Sequence, residues 1–339
     1  MRVLGKSQME DYNHTPGGQS CEQQGDLLSV VVPCFNEEGS IPHLYEKLND
    51  VLRGIGCGYE IVLIDDGSTD GTYPLMETLA QEDEHLKLIS FSRNFGKESA
   101  LYAGLSNAAG SYVAVLDADL QDPPELLAEM YSILREGQYD CVAAYRATRK
   151  GEPVLRSLFA NAFYRINNRL ADTRIVNGAR DFRMMNRSMV NAVLSMTEAN
   201  RFSKGLFSWV GFDTCWLSYE NVERVEGKSK WSFFRLFRYA VEGIVNFSQA
   251  PLMIASAFGL ILTVVAFVFL VLIVVRRILF GDPVDGWASL ISVIIFLGGC
   301  QLFSIGILGA YLGKAYVETK RRPHYIIKRT NIHGAKKIN

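Results

Sequence analysis

Short apolar runs and helical-period segments alternate along the first half of this chain. Leu27–Val32 is an apolar run closed by Pro33, the pattern of a buried strand. Ile41, Leu44, Leu48 and Val51 then recur at helical spacing and predict a helix over about 41–53. Further strands are predicted at Glu60–Ile64, Leu86–Phe91, Tyr112–Leu116 and Asp140–Tyr145, with helices over about 71–82, 97–108 and 124–135. Such alternation implies an α/β fold with a mainly parallel sheet covered on both faces. In these sheets ligands gather at the carboxyl ends of strands. Here those ends read P-C-F-N-E-E (33–38), D-D-G-S-T-D (65–70) and D-A-D (117–119), three polar clusters on one edge.

After residue 150 the pattern is less regular. Phe159, Phe163, Ile166 and Leu170 mark an amphipathic helix. Over 231–247, Phe233, Phe237, Val241 and Ile244 oppose Arg235, Arg238 and Glu242, so the stretch 231–250 is expected to lie in a membrane interface, with a core helix as the alternative. Two runs, Asn246–Val275 and Gly286–Gly313, carry no charge, and each exceeds the roughly 20 residues needed to cross a bilayer. They predict two transmembrane helices, near 252–275 and 287–312, within 251–313. The connector Arg276–Asp285 is balanced in charge. The flanks are basic, with Arg224, Lys228 and Lys230 before the first run. The expectation is a multi-pass protein of the inner (plasma) membrane with the catalytic body and both termini cytoplasmic. Gly299, Gly306 and Gly313 recur every seven residues, and Gly309 and Gly313 form a G-x-x-x-G. That stripe suits close helix approach, either between the two spans or in a homo-oligomer, which is the expected state.

Net charge is −1 over 339 residues, but residues 1–251 carry 25 Lys/Arg against 33 Asp/Glu. Residues 314–339 carry eight Lys/Arg against Glu318 alone and are read as a basic cytoplasmic tail seeking an anionic surface. No nucleic-acid partner is expected. The first 26 residues are polar, lack the apolar core of a signal peptide, and are expected to be disordered. The six cysteines are scattered without a C-x-x-C and read as small, reduced side chains.

The most specific chemistry lies at L-D-A-D-L-Q-D-P-P-E (116–125). A buried strand delivers Asp117 and Asp119, at i and i+2, on one face. Two anions this close call for a cation, and hard oxygen ligands suit Mg²⁺ or Mn²⁺ beside a diphosphate. The competing reading is that both carboxylates merely cap the next helix. A dehydrogenase of the Rossmann type is excluded, because no G-x-G-x-x-G follows the first strand.

V-P-C-F-N-E-E, D-D-G-S-T-D-G-T, D-A-D-L-Q-D-P-P-E and G-K-S-K-W occur in order. Over about 27–320 the chain resembles glycosyltransferase family 2, in its polyprenyl-phosphate (dolichyl-phosphate mannose synthase-like) branch, and within that the bacterial undecaprenyl-phosphate glucosyltransferases. The resemblance implies a GT-A catalytic domain over 27–230, a nucleotide-sugar donor, a divalent metal, a polyprenyl-phosphate acceptor and inversion at the anomeric carbon. UDP-glucose and UDP-N-acetylglucosamine lead as donors. By the same resemblance Pro33, Phe35, Glu37 and Asp66 line the nucleoside pocket, and Asp117 and Asp119 face the diphosphate. Asp119 and Gln121 are the implied metal ligands. Lys204 and Arg224 are assigned to the donor, and Arg146, Arg156 and Lys230 to the acceptor phosphate. Asp181, in A-R-D-F-R, takes the place of an acidic residue near the reacting sugar, with an ion pair to Arg180 or Arg183 as the alternative. Lys228 departs from the family's G-E-S-K pattern. A processive polysaccharide synthase fits less well, because the chain has Lys230-Trp231 but no Q-x-x-R-W motif, and two spans are too few for a pore in one subunit. A non-enzymatic nucleotide-binding partner fits less well with Asp66, Asp117, Asp119 and Gln121 all intact.

Overall fold

The structure, a computed structural model, describes residues 2–3, 26–146, 179–219, 250–280 and 287–335. It separates into two units. The first comprises Met1–Arg165, Thr173–Ser232 and Arg322–Asn339, the second Ile166–Asp172 and Phe233–Arg321.

The first unit is built on a nine-stranded sheet. Its strands in chain order are β1 (Arg2–Val3), β2 (Leu27–Cys34), β3 (Gly58–Asp65), β4 (Leu86–Phe91), β5 (Tyr112–Val115), β6 (Cys141–Arg146), β7 (Ala179–Asn186), β8 (Thr214–Tyr219) and β9 (Ile327–Thr330). The spatial order is β1-β8-β6-β7-β5-β2-β3-β4-β9. β2, β3, β4 and β5 pair in parallel, as do β6 and β8. β7 runs antiparallel between β5 and β6, and β9 runs antiparallel along β4.

The helices are α1 (Ile41–Ile55), α2 (Thr72–Glu82), α3 (Lys97–Asn107), α4 (Leu126–Arg135), α5 (Arg187–Ser195) and α6 (Ser203–Trp209). They cover both faces, as near-continuous apolar strands require. On one side Leu44, Leu48, Met76, Leu127 and Met130 pack with Val30, Val32 and Ala114 of the strands. On the other, Ala100, Leu101, Leu105, Met189, Val190 and Phe207 pack with Val31, Val62 and Val115. The alternate residues of one strand thus serve two cores. Cys34, Cys141 and Cys215 are buried and free.

Residues 327–330 fall in the stretch read from sequence as a basic tail, and they form a strand of the sheet. Tyr325, just before it, is 2 % exposed and stacks on Phe91 with centroids 5.0 Å apart. Asn331, just after it, extends the pairing through its side chain: Leu88 N donates to Oδ1 at 2.7 Å, and Nδ2 donates to Leu86 O at 2.9 Å.

The second unit contains α7 (Ala250–Phe280) and α8 (Trp287–Thr319). Here the expectation of two transmembrane helices, and with it the multi-pass topology, is corrected. Among the described residues one segment, Phe296–Thr319 of α8, is long and apolar enough to cross a membrane. In α7 the apolar stretch found among the described residues is the shorter Ala257–Phe269. At about 1.5 Å per residue it spans roughly 20 Å, short of a hydrocarbon core of about 30 Å. Along α8, a Cβ built on Gly299, Gly306, Gly309 or Gly313 meets nothing within 4 Å among the described residues.

Candidate active site

The loops after β2 and β3 are stitched together by side chains that the local sequence supplies. Asn36, at φ 56°, accepts from Thr69 N at 2.9 Å, and its own N–H donates to Ser68 Oγ at 3.0 Å. Glu37 N donates to Thr72 Oγ1 at 2.8 Å, and Gly71 N to Glu38 Oε2 at 2.9 Å. Such Asx- and Ser/Thr-mediated bonds satisfy backbone groups that no ladder reaches. The Glu37 carboxylate accepts from Ser40 Oγ at the start of α1.

Asp66 then shapes the loop leading from β4 to α3. Its carboxylate accepts from Phe95 N at 2.6 Å and from Gly96 N at 2.9 Å. Burial raises its pKa, and the two amides only partly offset that. Gly96 has φ 96°, and Gly67, beside Asp66, has φ 69°. A Cβ on Gly67 would sit 2.4 Å from Arg93 C and 2.7 Å from Asn94 N, both backbone atoms. Gly67→Ala is therefore expected to cost on the order of 3 kcal/mol from the left-handed φ and the clash together. Its thermal midpoint should fall by roughly 5–10 °C. An unchanged midpoint would show that the two loops do not pack as described.

These loops, the D-A-D turn and the start of α3 enclose a cavity of about 300 Å³, lined in part by Pro33, Phe35, Glu37, Asp66, Asp117 and Asp119. Phe35 is 44 % exposed at this opening. An aromatic face left open beside a polar cavity can receive a planar ring.

The charged centre follows from strand register. β7 pairs with β5 as Val115↔Arg183 and Tyr112↔Asn186. The same register, continued two residues past Val115, sets Asp117 opposite Asp181. Arg180 and Asp181 are successive residues of β7 and point to opposite faces. Asp181 meets Lys97 of α3, whose Nζ lies 2.6 Å from Asp181 Oδ2 and 2.6 Å from Asp117 Oδ1. Burial would raise the Asp181 pKa, but the charges of Lys204 and Lys97 and the Lys97 hydrogen bond outweigh it and hold the group well below the usual carboxylate range. Desolvation opposes the charge on Lys97, yet Asp181 and Asp117 raise its pKa above the ordinary value. Lys204 is brought near by α6, whose first residue, Ser203, donates through N at 2.9 Å and through Oγ to Glu98 Oε2. Lys97 and Glu98, adjacent on α3, thus organise both sides of Asp181.

On the opposite face Arg180 Nη2 donates to Gln121 Oε1 at 2.9 Å, and Nε lies 3.5 Å from Asp122 Oδ1. Tyr219 OH also donates to Asp122, which is 1 % exposed. The pair fixes the turn that carries Asp119, whose Oδ1 accepts from Gln121 N at 3.2 Å.

A divalent cation fits this donor set. Asp117 Oδ1 is buried, and the group set against it is already a cation, the Lys97 ammonium. Asp117 and Asp119 offer hard carboxylate oxygens, while the Gln121 amide oxygen already accepts from Arg180. Among the described residues no cluster of three or more His, Cys, Asp or Glu side chains surrounds the position. A cation there would complete its shell with diphosphate and water, as Mg²⁺ commonly does.

The structure brings Pro33, Phe35, Glu37, Asp66, Asp117 and Asp119 to one cavity. Asp181 and Lys204 join them through Lys97 and α6. Asp181 does not take the neighbouring-arginine pairing: Arg183 donates to the main-chain oxygens of Asp181 and Arg180 and stacks over Phe207. Arg146 ends β6, in register with Tyr219. Arg156, Arg224, Lys228, Lys230, the amphipathic helices near 159–170 and 231–250, and most of the N-terminal 26 residues lie outside the described residues. Lys97 is the residue that sequence reasoning missed. A signal was present, because a lysine in the first turn of a helix opposes the macrodipole.

Comparison with known proteins adds to this geometry. Residues 29–194 match the family Glycosyl transferase family 2. The putative glycosyltransferase CsbB of Bacillus subtilis is 44 % identical over 90 % of this chain and 92 % of its own. The prophage bactoprenol glucosyl transferase homolog of Escherichia coli is 41 % identical over 89 % and 98 %, and the bactoprenol glucosyl transferase of Shigella phage SfII 40 % over 90 % and 98 %. A mannosyltransferase structure from Pyrobaculum calidifontis, PcManGT with GDP-Man and Mn²⁺, superposes with a TM-score of 0.47 at 19 % identity, covering 87 % of each chain.

Proposed function

The chain belongs to glycosyl transferase family 2, a family of enzymes, and on that premise we propose that it transfers a hexose, glucose, from a nucleotide sugar to polyprenyl phosphate. The observation that carries the reading is the convergence of Asp66, Asp117 and Asp119 on one cavity, with Asp181 tied to it through Lys97. The acceptor and sugar take support from the near full-length likeness to bactoprenol glucosyl transferases.

The roles follow from chemistry. Pro33, Phe35, Glu37 and Asp66 form the nucleoside wall, with the open face of Phe35 against the base. Asp117 and Asp119, with Gln121, would hold a divalent cation, which supplies Lewis-acid charge to the departing diphosphate when bound. A polyprenyl phosphate has a second pKa near 6 and is already a dianion at neutral pH. Its oxygen attacks the anomeric carbon as the sugar–diphosphate bond breaks, and the configuration inverts. Such a nucleophile needs no proton removed. Asp181, held firmly as an anion, is a weak proton acceptor and instead orients a sugar hydroxyl. Lys204 and Arg224 balance the donor's charge, and Arg146, Arg156 and Lys230 engage the acceptor phosphate. The apolar face of α8 offers contact with the lipid phase.

The test is incubation with undecaprenyl phosphate and a panel of labelled nucleotide sugars, followed by lipid extraction. Label from UDP-glucose is expected in the organic phase. Labelling from UDP-N-acetylglucosamine alone would overturn the choice of sugar, and no lipid-phase label from any donor would overturn the acceptor.

A further inference from the structure

Asp117, in the turn after β5, and Asp181, on β7, come from different segments, yet the β5–β7 register continued two residues past Val115↔Arg183 brings them together. Two carboxylates held this close repel each other unless a cation sits between them. The fold answers this with one ammonium: Lys97 Nζ is 2.6 Å from an oxygen of each. Its position is costly by local rules, because the first turn of a helix favours acids. A residue that breaks a local rule at a site of convergence is expected to have a role there. Glu98, the next residue, anchors α6 through Ser203. Lys97 is therefore held on a fixed helix start rather than on a free arm.

We propose that Lys97 is a resident counter-cation: it occupies Asp117 while the donor site is empty, yields that carboxylate to the incoming divalent cation, and keeps its grip on Asp181 throughout. This rests on the donor-site reading above and adds an exchange of cations at Asp117. Lys97 is then a positioning residue. It holds Asp181 toward the sugar, and it competes with the cation for the oxygen they share.

The two halves of the role predict effects of opposite sign. Lys97→Met removes a competing charge, so Mn²⁺ alone, titrated calorimetrically without nucleotide, should bind about tenfold more tightly than to wild type; that figure discounts strongly the Coulomb energy of unit charges about 4 Å apart. The variant should melt below wild type without metal and regain most of the difference on adding Mn²⁺, by linkage. Transfer should fall in kcat with little change in donor KM, because Asp181 is no longer oriented. A lysine with a merely structural role would lower the melting temperature with and without Mn²⁺ and would not tighten metal binding. Should Lys97→Met fail to fold, Lys97→Met with Asp181→Asn removes one charge of each sign and leaves no opposed anions. It too should bind Mn²⁺ more tightly than wild type. Affinity equal to or weaker than wild type in a folded variant overturns the exchange, as does the absence of Mn²⁺ binding in every protein. These readouts do not depend on transfer. Their failure is distinguishable from failure of the glycosyltransferase reading, which shows as wild type that labels no lipid.

Discussion

Replacing Asp119 by alanine is expected to lower hexose transfer by about a thousandfold or more while leaving the protein folded. The loss follows from the turn after β5. Asp117 and Asp119 present the hard oxygens at the cavity, and charge developing on the departing diphosphate must be met there. Single groups that stabilise such charge contribute on the order of 100- to 1,000-fold, and a carboxylate that helps hold a divalent cation affects more than one such contact. The fold should survive because Asp119 lies outside every strand and helix, and its bond from Gln121 N is a 3.2 Å loop contact. A bond of that kind contributes about 1 kcal/mol. Initial rates with labelled donor, beside thermal melts of both proteins, make the measurement. An Asp119→Ala enzyme that retains full activity in excess chelator would remove both the metal and the carboxylate from the reaction.

The second large effect concerns stability. A chain ending at Arg322 is expected to melt at least about 10 °C lower, or to be insoluble. It loses Tyr325 from between the sheet edge and α3, where it stacks on Phe91. Burying a side chain of that size is worth roughly 2–3 kcal/mol. It also loses the β9 ladder, the bond from Ser92 N to Ile326 O, and the two bonds of Asn331. β4 would then present unpaired N–H and C=O groups, a template for pairing with other chains. Two milder variants separate these contributions. Tyr325→Ala should cost about 3 kcal/mol, and Asn331→Ala about 1–2 kcal/mol, because two backbone groups lose their partner. Because Ser92 opens the loop that Asp66 holds, donor affinity should fall with stability. Unchanged melting of the truncated protein would mean that β9 does not close the sheet in solution.

The parallel half of the sheet was legible because its strands are buried on both sides and bounded by turn residues. Leu86–Phe91 matches the sequence expectation to the residue, and Tyr112–Val115 ends one residue early. The two helix-capping carboxylates considered as an alternative at 117–119 instead face the cavity. β7 escaped because its alternation is carried by Arg180, Asp181 and Arg183, and a buried arginine stacked on Phe207 hides a central strand from any hydropathy pattern. β9 escaped because an edge strand needs little apolar content, and I-K-R-T sits among basic residues. Asp181 came from a family resemblance rather than from spacing. Lys97 came from neither, because its partners Asp117 and Asp181 meet only once the antiparallel register is known. The first of the two expected spans is not matched, because among the described residues the one segment long and apolar enough to cross a bilayer is Phe296–Thr319 of α8.

β9 also sets a clock on biosynthesis. Leu88 and the Asn331 side chain that completes its pairing are 243 positions apart. At about 5–20 residues per second on the ribosome, the nascent sheet waits between about 12 and 50 s for its last strand. Throughout that interval β4 has no outer neighbour, and both apolar helices are made before β9 is. A chain interrupted before residue 327 therefore exposes the β4 hydrogen-bonding groups that β9 covers in the folded sheet. The hydrogen-bonding groups that hold the mature sheet together are thus the same ones an interrupted chain offers to other strands.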